Sequence, residues 1–168
     1  MRFLKSFQYA VRGFVYCINN ERNMRIHTVV AVYVFAFSFF FRLTRAGYAA
    51  LFLTFACVMA AELFNTVSEE LCDMIASSFH PAVRIIKDMA SGGVLVGAFF
   101  AVCVGISLFW QPEGFRRMAG YFLSKPAMAA VLLLFTAGCA VFIALGPLGI
   151  RDRIRGRNSP AGKGKRHP

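Results

Sequence analysis

The sequence has few acidic residues, with eight Asp and Glu against 19 Lys and Arg in 168 residues. Charged residues make up 16% of the chain and apolar residues 58%, whereas an ordinary soluble domain has about 25% and about 45–50%. So little charge argues against a soluble globular domain. The net charge of +11 would suit nucleic-acid binding, but the apolar residues form long blocks apart from the basic ones. We therefore expect a membrane protein with no nucleic-acid partner.

Several common site motifs are also absent. The five cysteines stand singly, without a C-x-x-C pair, which argues against a thiolate metal site and favours cysteine as a small apolar residue within helices. The sequence contains no G-x-x-x-x-G-K-[ST] and no G-x-G-x-x-G. Their absence excludes a P-loop and the glycine-rich loop of protein kinases.

What the chain has in abundance is apolar blocks of about the 17–25 residues that cross a bilayer. The predicted fold class is all-α integral membrane. An amphipathic surface helix at about 1–22 precedes crossings at 26–41, 46–68 and 89–110, and a fourth crossing at 126–145 ends before Gly-Pro. The first helix has aromatic residues on one face and basic residues on the other, which is typical of a helix lying in a membrane surface. A soluble amphipathic helix is the alternative.

The basic residues indicate the orientation. Segments 1–26, 77–91 and 151–168 carry 14 Lys and Arg, while 42–47 and 111–125 carry five. The positive-inside bias therefore predicts that both termini lie in the cytoplasm. We expect 111–125 to be a loop, so that 111–150 is an extra loop and fourth crossing. The basic tail 151–168 is expected to be disordered.

Four polar residues follow one another at helical spacing near the end of the second crossing. Glu62, Asn65, Glu69 and Asp73 stand at i, i+3, i+7 and i+11, which places them within about 80° on one helix face. Clustered carboxylates and an amide suit Mg²⁺ bound together with substrate phosphates, and a carboxylate at the apolar boundary suits proton removal from a hydroxyl. With Lys87 to neutralise phosphate, these residues favour phosphoryl transfer. A structural polar cluster or a cation path is the alternative.

The same residues resemble a family signature. The stretch Glu62-Leu-Phe-Asn-Thr-Val-Ser-Glu69, followed by Asp73, His80-Pro81 and Lys87-Asp88, is similar to that of the small prokaryotic diacylglycerol kinase/undecaprenol kinase family. The resemblance covers residues 1–110. It implies an integral-membrane homotrimer that transfers the γ-phosphate of ATP, with Mg²⁺, to a lipid alcohol. It also implies a multi-pass protein of the bacterial inner membrane whose active site faces the cytoplasm.

The resemblance also implies roles for individual residues. Glu62 matches the catalytic base, and Glu21 and Glu69 match the carboxylates that hold Mg²⁺. The positions that match polar residues around the nucleotide are Asn65, Asp73, His80, Lys87 and Asp88.

Members of the family that this sequence resembles differ in their lipid acceptor. The stretch 19–27, with Glu21-x-Asn23-x-x-Ile26-His27, looks more like the undecaprenol kinases than the diacylglycerol kinases. Undecaprenol is therefore the predicted acceptor and diacylglycerol the alternative. A non-enzymatic membrane scaffold or ion-pathway protein is the alternative from another class.

Overall fold

The structure is a computed structural model that describes residues 2–75 and 80–154. The described part consists entirely of α-helices and their short connections, which confirms the predicted all-α class. The helices are α1 (Arg2–Asn20), α2 (Arg22–Ser38), α3 (Arg45–Ile75), α4 (Pro81–Phe109), α5 (Pro112–Ser124) and α6 (Pro126–Ile154).

Three of these helices are long and apolar enough to cross a membrane. They are α3, α4 and α6, with 31, 29 and 29 residues, and they make the chain a multi-pass membrane protein. The first predicted crossing, 26–41, corresponds to α2. That helix has 17 residues and is therefore about 26 Å long, at the lower limit for spanning the apolar core.

Residues 111–125, expected to form a loop, instead contain the 13-residue helix α5. Pro112 stands in its first turn, where a missing N–H costs nothing, so this proline begins a helix rather than preventing one. The ring of Phe122 lies 6.4 Å from that of Phe37 and 6.1 Å from that of Phe40. Packing against α2 thus gives α5 an apolar partner that the sequence did not indicate.

Neighbouring long helices run antiparallel, so the end of one lies beside the start of the next. Two ends of the bundle differ in chemistry. We call one the aromatic end, formed by Phe41, Phe109, Gly114 and Phe115. There the Phe41 ring meets Phe109 edge-on at 4.9 Å and Phe115 at 5.2 Å between centroids. The other is the polar end, which contains Glu21, Glu62, Asn65, Glu69, Asp73 and Lys87.

Helix α6 packs along α2 from the middle of the bundle to the polar end. Tyr33 Oη and Thr136 Oγ1 are hydrogen-bonded at 2.6 Å, and the rings of Tyr33 and Phe135 are 5.6 Å apart. At Gly146 the backbone leaves the helical region, with φ 67° and ψ 170°, and α6 continues beyond this kink through Pro147. The helix reaches Ile154, so it includes the first four residues of the predicted tail. Residues 155–168 lie outside the described part.

Candidate active site

The polar face of α3 changes from buried to exposed along the helix. Glu62 has no exposed surface and Asn65 is 5% exposed, whereas Glu69 is half-buried and Asp73 is exposed. One helix therefore carries a carboxylate inside the protein and two more towards its surface, about one turn apart.

Asn65 uses both ends of its amide to hold this face together. Its Nδ2 donates to Glu69 Oε1 at 3.0 Å, and Ser91 Oγ on α4 donates to Asn65 Oδ1 at 3.3 Å. The amide therefore orients the Glu69 carboxylate and fixes α3 against α4. Sequence reasoning missed Ser91, although it stands four residues after Lys87 and so on the same helix face.

Glu62 is the least satisfied polar side chain at this end. Neither of its carboxylate oxygens has a hydrogen-bond partner among the described residues. The Asn23 side chain lies close enough to stabilise the carboxylate charge, while the charges of Glu21 and Glu69 oppose it. A buried acceptor without a donor costs about 1–3 kcal/mol. Such a group calls for an explanation, and a bound ligand that supplies a proton or positive charge is one.

Helix α1 is fastened to α3 directly beside Glu62. Thr66 Oγ1 donates to the Glu62 carbonyl oxygen at 2.9 Å, and Cys17 Sγ lies 3.1 Å from the same hydroxyl. Burial raises the pKa of the Cys17 thiol, and the charges of Glu21 and Glu62 raise it further, against the hydrogen bond with Thr66. Cys17 is therefore a neutral packing residue. Tyr16 Oη donates to Glu70 Oε1 at 3.2 Å.

Glu21 lies at the bend between α1 and α2, which we call the elbow (Asn19–Arg25). Its backbone is extended, with φ −104° and ψ 123°, and its N–H donates to the Cys17 carbonyl at 2.7 Å. The half-buried side chain acts electrostatically on Glu62. The elbow thus brings a carboxylate from another part of the chain to the α3 face.

The remaining predicted site residues lie around the start of α4. Lys87 Nζ forms an ion pair with Asp73 Oδ1, which brings these two together across α3 and α4. Asp88 pairs instead with Arg84, at 3.9 Å between exposed side chains. His80 caps α4, accepting from the Ala82 N–H at Nδ1 over 3.3 Å. A nucleotide role for Asp88 and His80 stays a prediction.

The donor set fits Mg²⁺ bound together with a phosphate-bearing substrate. In the described ranges no group of three or more His, Cys, Asp or Glu is arranged to hold a metal by itself. Mg²⁺ usually takes only one or two carboxylates and fills its other positions with water and substrate phosphates. Glu21 and Glu69 provide two carboxylates, both close enough to act electrostatically on Glu62, and so match that requirement.

The fold and this site define a class: a multi-pass helical membrane protein with a carboxylate-rich site at one end of the bundle. The family model of prokaryotic diacylglycerol kinase matches residues 8–109, and the chain belongs to that family. It is 40% identical over 110 residues to a protein of Synechocystis sp. named diacylglycerol kinase, across 65% of this chain and 63% of that protein. No solved structure matches the chain.

Proposed function

We propose that the protein is a lipid kinase that transfers the γ-phosphate of ATP to the hydroxyl of a membrane lipid alcohol, with Mg²⁺. The observation that carries the proposal is Glu62, fully buried with both carboxylate oxygens unpartnered among the described residues. It lies beside further carboxylates in a chain of the prokaryotic diacylglycerol kinase family. A proton acceptor, phosphate-compatible ligands and a membrane location are the three things this reaction needs.

In this mechanism Glu62 takes the proton of the lipid hydroxyl. The hydroxyl oxygen then bonds to the γ-phosphorus while the bond from that phosphorus to the β–γ bridging oxygen breaks, and ADP leaves. Glu21 and Glu69 would hold the metal, with Glu69 oriented by Asn65 at 3.0 Å. Mg²⁺ would neutralise charge on the phosphate oxygens. Lys87, paired with Asp73, is positioned to move from that carboxylate to an incoming phosphate.

An apolar cavity supports a lipid as the acceptor. It has a volume of about 310 Å³ between α2, α3 and α4, and its lining includes Ala31, Val58 and Met59. Met59 and Val58 stand three and four residues before Glu62, so the cavity ends about one helical turn from the proposed base. A lipid tail in this cavity would bring the hydroxyl at its head to Glu62.

The acceptor has two candidates, each favoured by one observation. The Glu21-x-Asn23-x-x-Ile26-His27 pattern favours undecaprenol, which we propose first. The printed name of the Synechocystis relative favours diacylglycerol. Because both lipids present one hydroxyl at the membrane surface, the carboxylate site would serve either.

We propose that residues 1–110 form the kinase unit, with 111–150 as an addition and 151–168 as a basic cytoplasmic tail. The family match to 8–109 supports the first boundary. Membership of a prokaryotic family supports a bacterial inner-membrane location, and the distribution of Lys and Arg supports a cytoplasmic position for the polar end. A homotrimer is part of the proposal, since Gly93 and Gly97 on α4 have open space where a Cβ would lie, which leaves room for close approach by another helix.

The test is a phosphorylation assay on the purified chain in detergent. Labelled ATP and Mg²⁺ are supplied with undecaprenol or diacylglycerol in parallel, and labelled lipid is extracted and counted. We expect labelled product from undecaprenol at the higher rate, and none when EDTA replaces Mg²⁺. Faster labelling of diacylglycerol would reverse the choice of acceptor. The absence of labelled lipid with either alcohol would overturn the proposed function and favour a scaffold.

A further inference from the structure

Arg25 holds the elbow from inside. It is 8% exposed, and its Nη1 donates to the Asn19 carbonyl oxygen at 3.4 Å. This contact joins the first turn of α2 to the last turn of α1 across Glu21. The angle of the elbow, and with it the position of the Glu21 carboxylate, is therefore set by this contact together with the backbone bond from Glu21 N–H to the Cys17 carbonyl oxygen.

The kink of α6 packs directly against this guanidinium. Gly146 is buried, and a Cβ at that position would collide with Arg25 Nη1 and lie 3.5 Å from the Asn19 carbonyl oxygen. Its φ of 67° is in the left-handed region, which a side chain disfavours. Position 146 thus requires glycine for two reasons, the left-handed backbone conformation and the close approach to Arg25.

The contact joins two parts of the chain that the family comparison separates. The elbow lies within the matched residues 8–109, and Gly146 lies beyond them. Helix α6 also has a second glycine, Gly138, where a Cβ would meet nothing within 4 Å. A helix that served only as a membrane anchor would need no kink seated on the residue that fixes the elbow.

We propose that α6 is a positioning element of the kinase site, in which Gly146 seats Arg25 and so holds the elbow and Glu21 beside Glu62. This inference rests on the proposed function for its catalytic consequence. The extension is then a part of the enzyme that sets how well Mg·ATP binds. Gly146 and Arg25 are positioning residues, because they act through Glu21.

The first test needs no kinase activity. Cys17 is 1% exposed beneath the elbow, so its labelling by a maleimide reports on how well the elbow is held. In the full chain with Cys57, Cys72, Cys103 and Cys139 replaced by Ala, Gly146→Ala should speed labelling of Cys17 roughly tenfold, since local opening controls access to a buried group. Gly138→Ala is the matched control and should label as the parent does. Equal labelling of the Gly146→Ala and parent chains would overturn the proposal that Gly146 and Arg25 hold the elbow.

The second test separates positioning from loss of folded protein. Gly146→Ala should raise KM for Mg·ATP by roughly fivefold, with kcat and KM for the lipid changed by less than about twofold. Partial misfolding would lower kcat and leave KM unchanged. Faster Cys17 labelling with an unchanged KM for Mg·ATP would overturn the catalytic part of the proposal. If the parent chain has no kinase activity, the proposed function fails. The labelling result still decides whether Gly146 and Arg25 hold the elbow.

Arg25→Lys provides a second route to the same answer if Gly146→Ala is not recovered as monodisperse protein. Lysine keeps the charge and removes the guanidinium that reaches Asn19. We expect faster labelling of Cys17 and a raised KM for Mg·ATP, in the same direction as Gly146→Ala. Parent-like labelling of Arg25→Lys would contradict the proposal independently of the glycine variant.

Discussion

At the aromatic end, Phe41 lies over Gly114 and meets the rings of Phe109 and Phe115 edge-on at 4.9 and 5.2 Å. At the polar end, Glu62 is just as deeply buried, yet neither carboxylate oxygen has a hydrogen-bond partner in the described part of the chain. The first end gains stability from packing. The second keeps a costly group that packing does not explain. Burial therefore stabilises the fold at the aromatic end, and at the polar end we attribute it to the proposed chemistry.

The largest expected effect is on the reaction at the polar end. Glu62→Gln keeps the shape of the side chain and removes the base, so turnover should fall by about 10²–10⁴-fold while nucleotide binding is largely kept. Lipid phosphorylation at saturating ATP measures this. Glu70→Gln is the matched control, because Glu70 accepts from Tyr16 Oη and an amide oxygen accepts equally. Normal turnover by Glu62→Gln would remove the assignment of the base.

The next effect tests the aromatic end. In Gly114→Ala the new methyl group would collide with the Phe41 ring, and overpacking of this kind costs about 1–3 kcal/mol. A lower melting temperature is expected, with KM for both substrates unchanged. Gly120→Ala in the same helix, where a Cβ has open space, should melt like the parent protein. A selective loss of ATP affinity in Gly114→Ala would break the proposed division between the ends.

The carboxylates around Glu62 should affect nucleotide binding more than stability. Glu69→Gln and Glu21→Gln each remove one negative charge from the proposed metal ligands, so KM for Mg·ATP should rise roughly tenfold. Titration of the rate against free Mg²⁺ at fixed ATP measures this directly. Glu113→Gln removes a carboxylate that pairs with Arg116 on α5, and it should leave KM unchanged. An equal change in all three variants would indicate a general charge effect.

The smallest expected effect tests the lipid cavity between the two ends. Ala31→Phe would fill part of the space that we assign to the lipid tail, so KM for a long lipid alcohol should rise by roughly three- to tenfold. A short-chain alcohol should lose less, and KM for ATP should not change. Ala140→Phe adds the same ring to an exposed position of α6 and serves as the control. Equal losses for long and short acceptors would place the tail elsewhere.

Much of the polar end could be predicted from the sequence because it depends on one helix. Glu62, Asn65 and Glu69 share a face through helical spacing alone, and the structure has them on a continuous α3. The roles of these residues came from the family resemblance and stay predictions.

Contacts between helices could not be predicted in the same way. The bond from Ser91 to Asn65 and the seating of Arg25 against Gly146 depend on how helices are rotated against one another, which periodicity does not specify. Gly146-Pro147 was expected to end the helix of the fourth crossing, and the helical geometry does break at Gly146. A second helical segment follows at once, because proline at the start of such a segment needs no N–H partner.

The melting temperature of Glu62→Gln decides whether Glu62 is buried for the reaction or for the fold. Replacing this buried acid by a neutral amide removes its repulsion with Glu21 and Glu69. The amide keeps an oxygen that can still interact with the nearby Asn23 side chain. We predict a melting temperature equal to or above that of the parent protein, in a preparation whose turnover has fallen by about 10²–10⁴-fold. A fall as large as that of Gly114→Ala would contradict it, because Glu62 would then be holding the fold together.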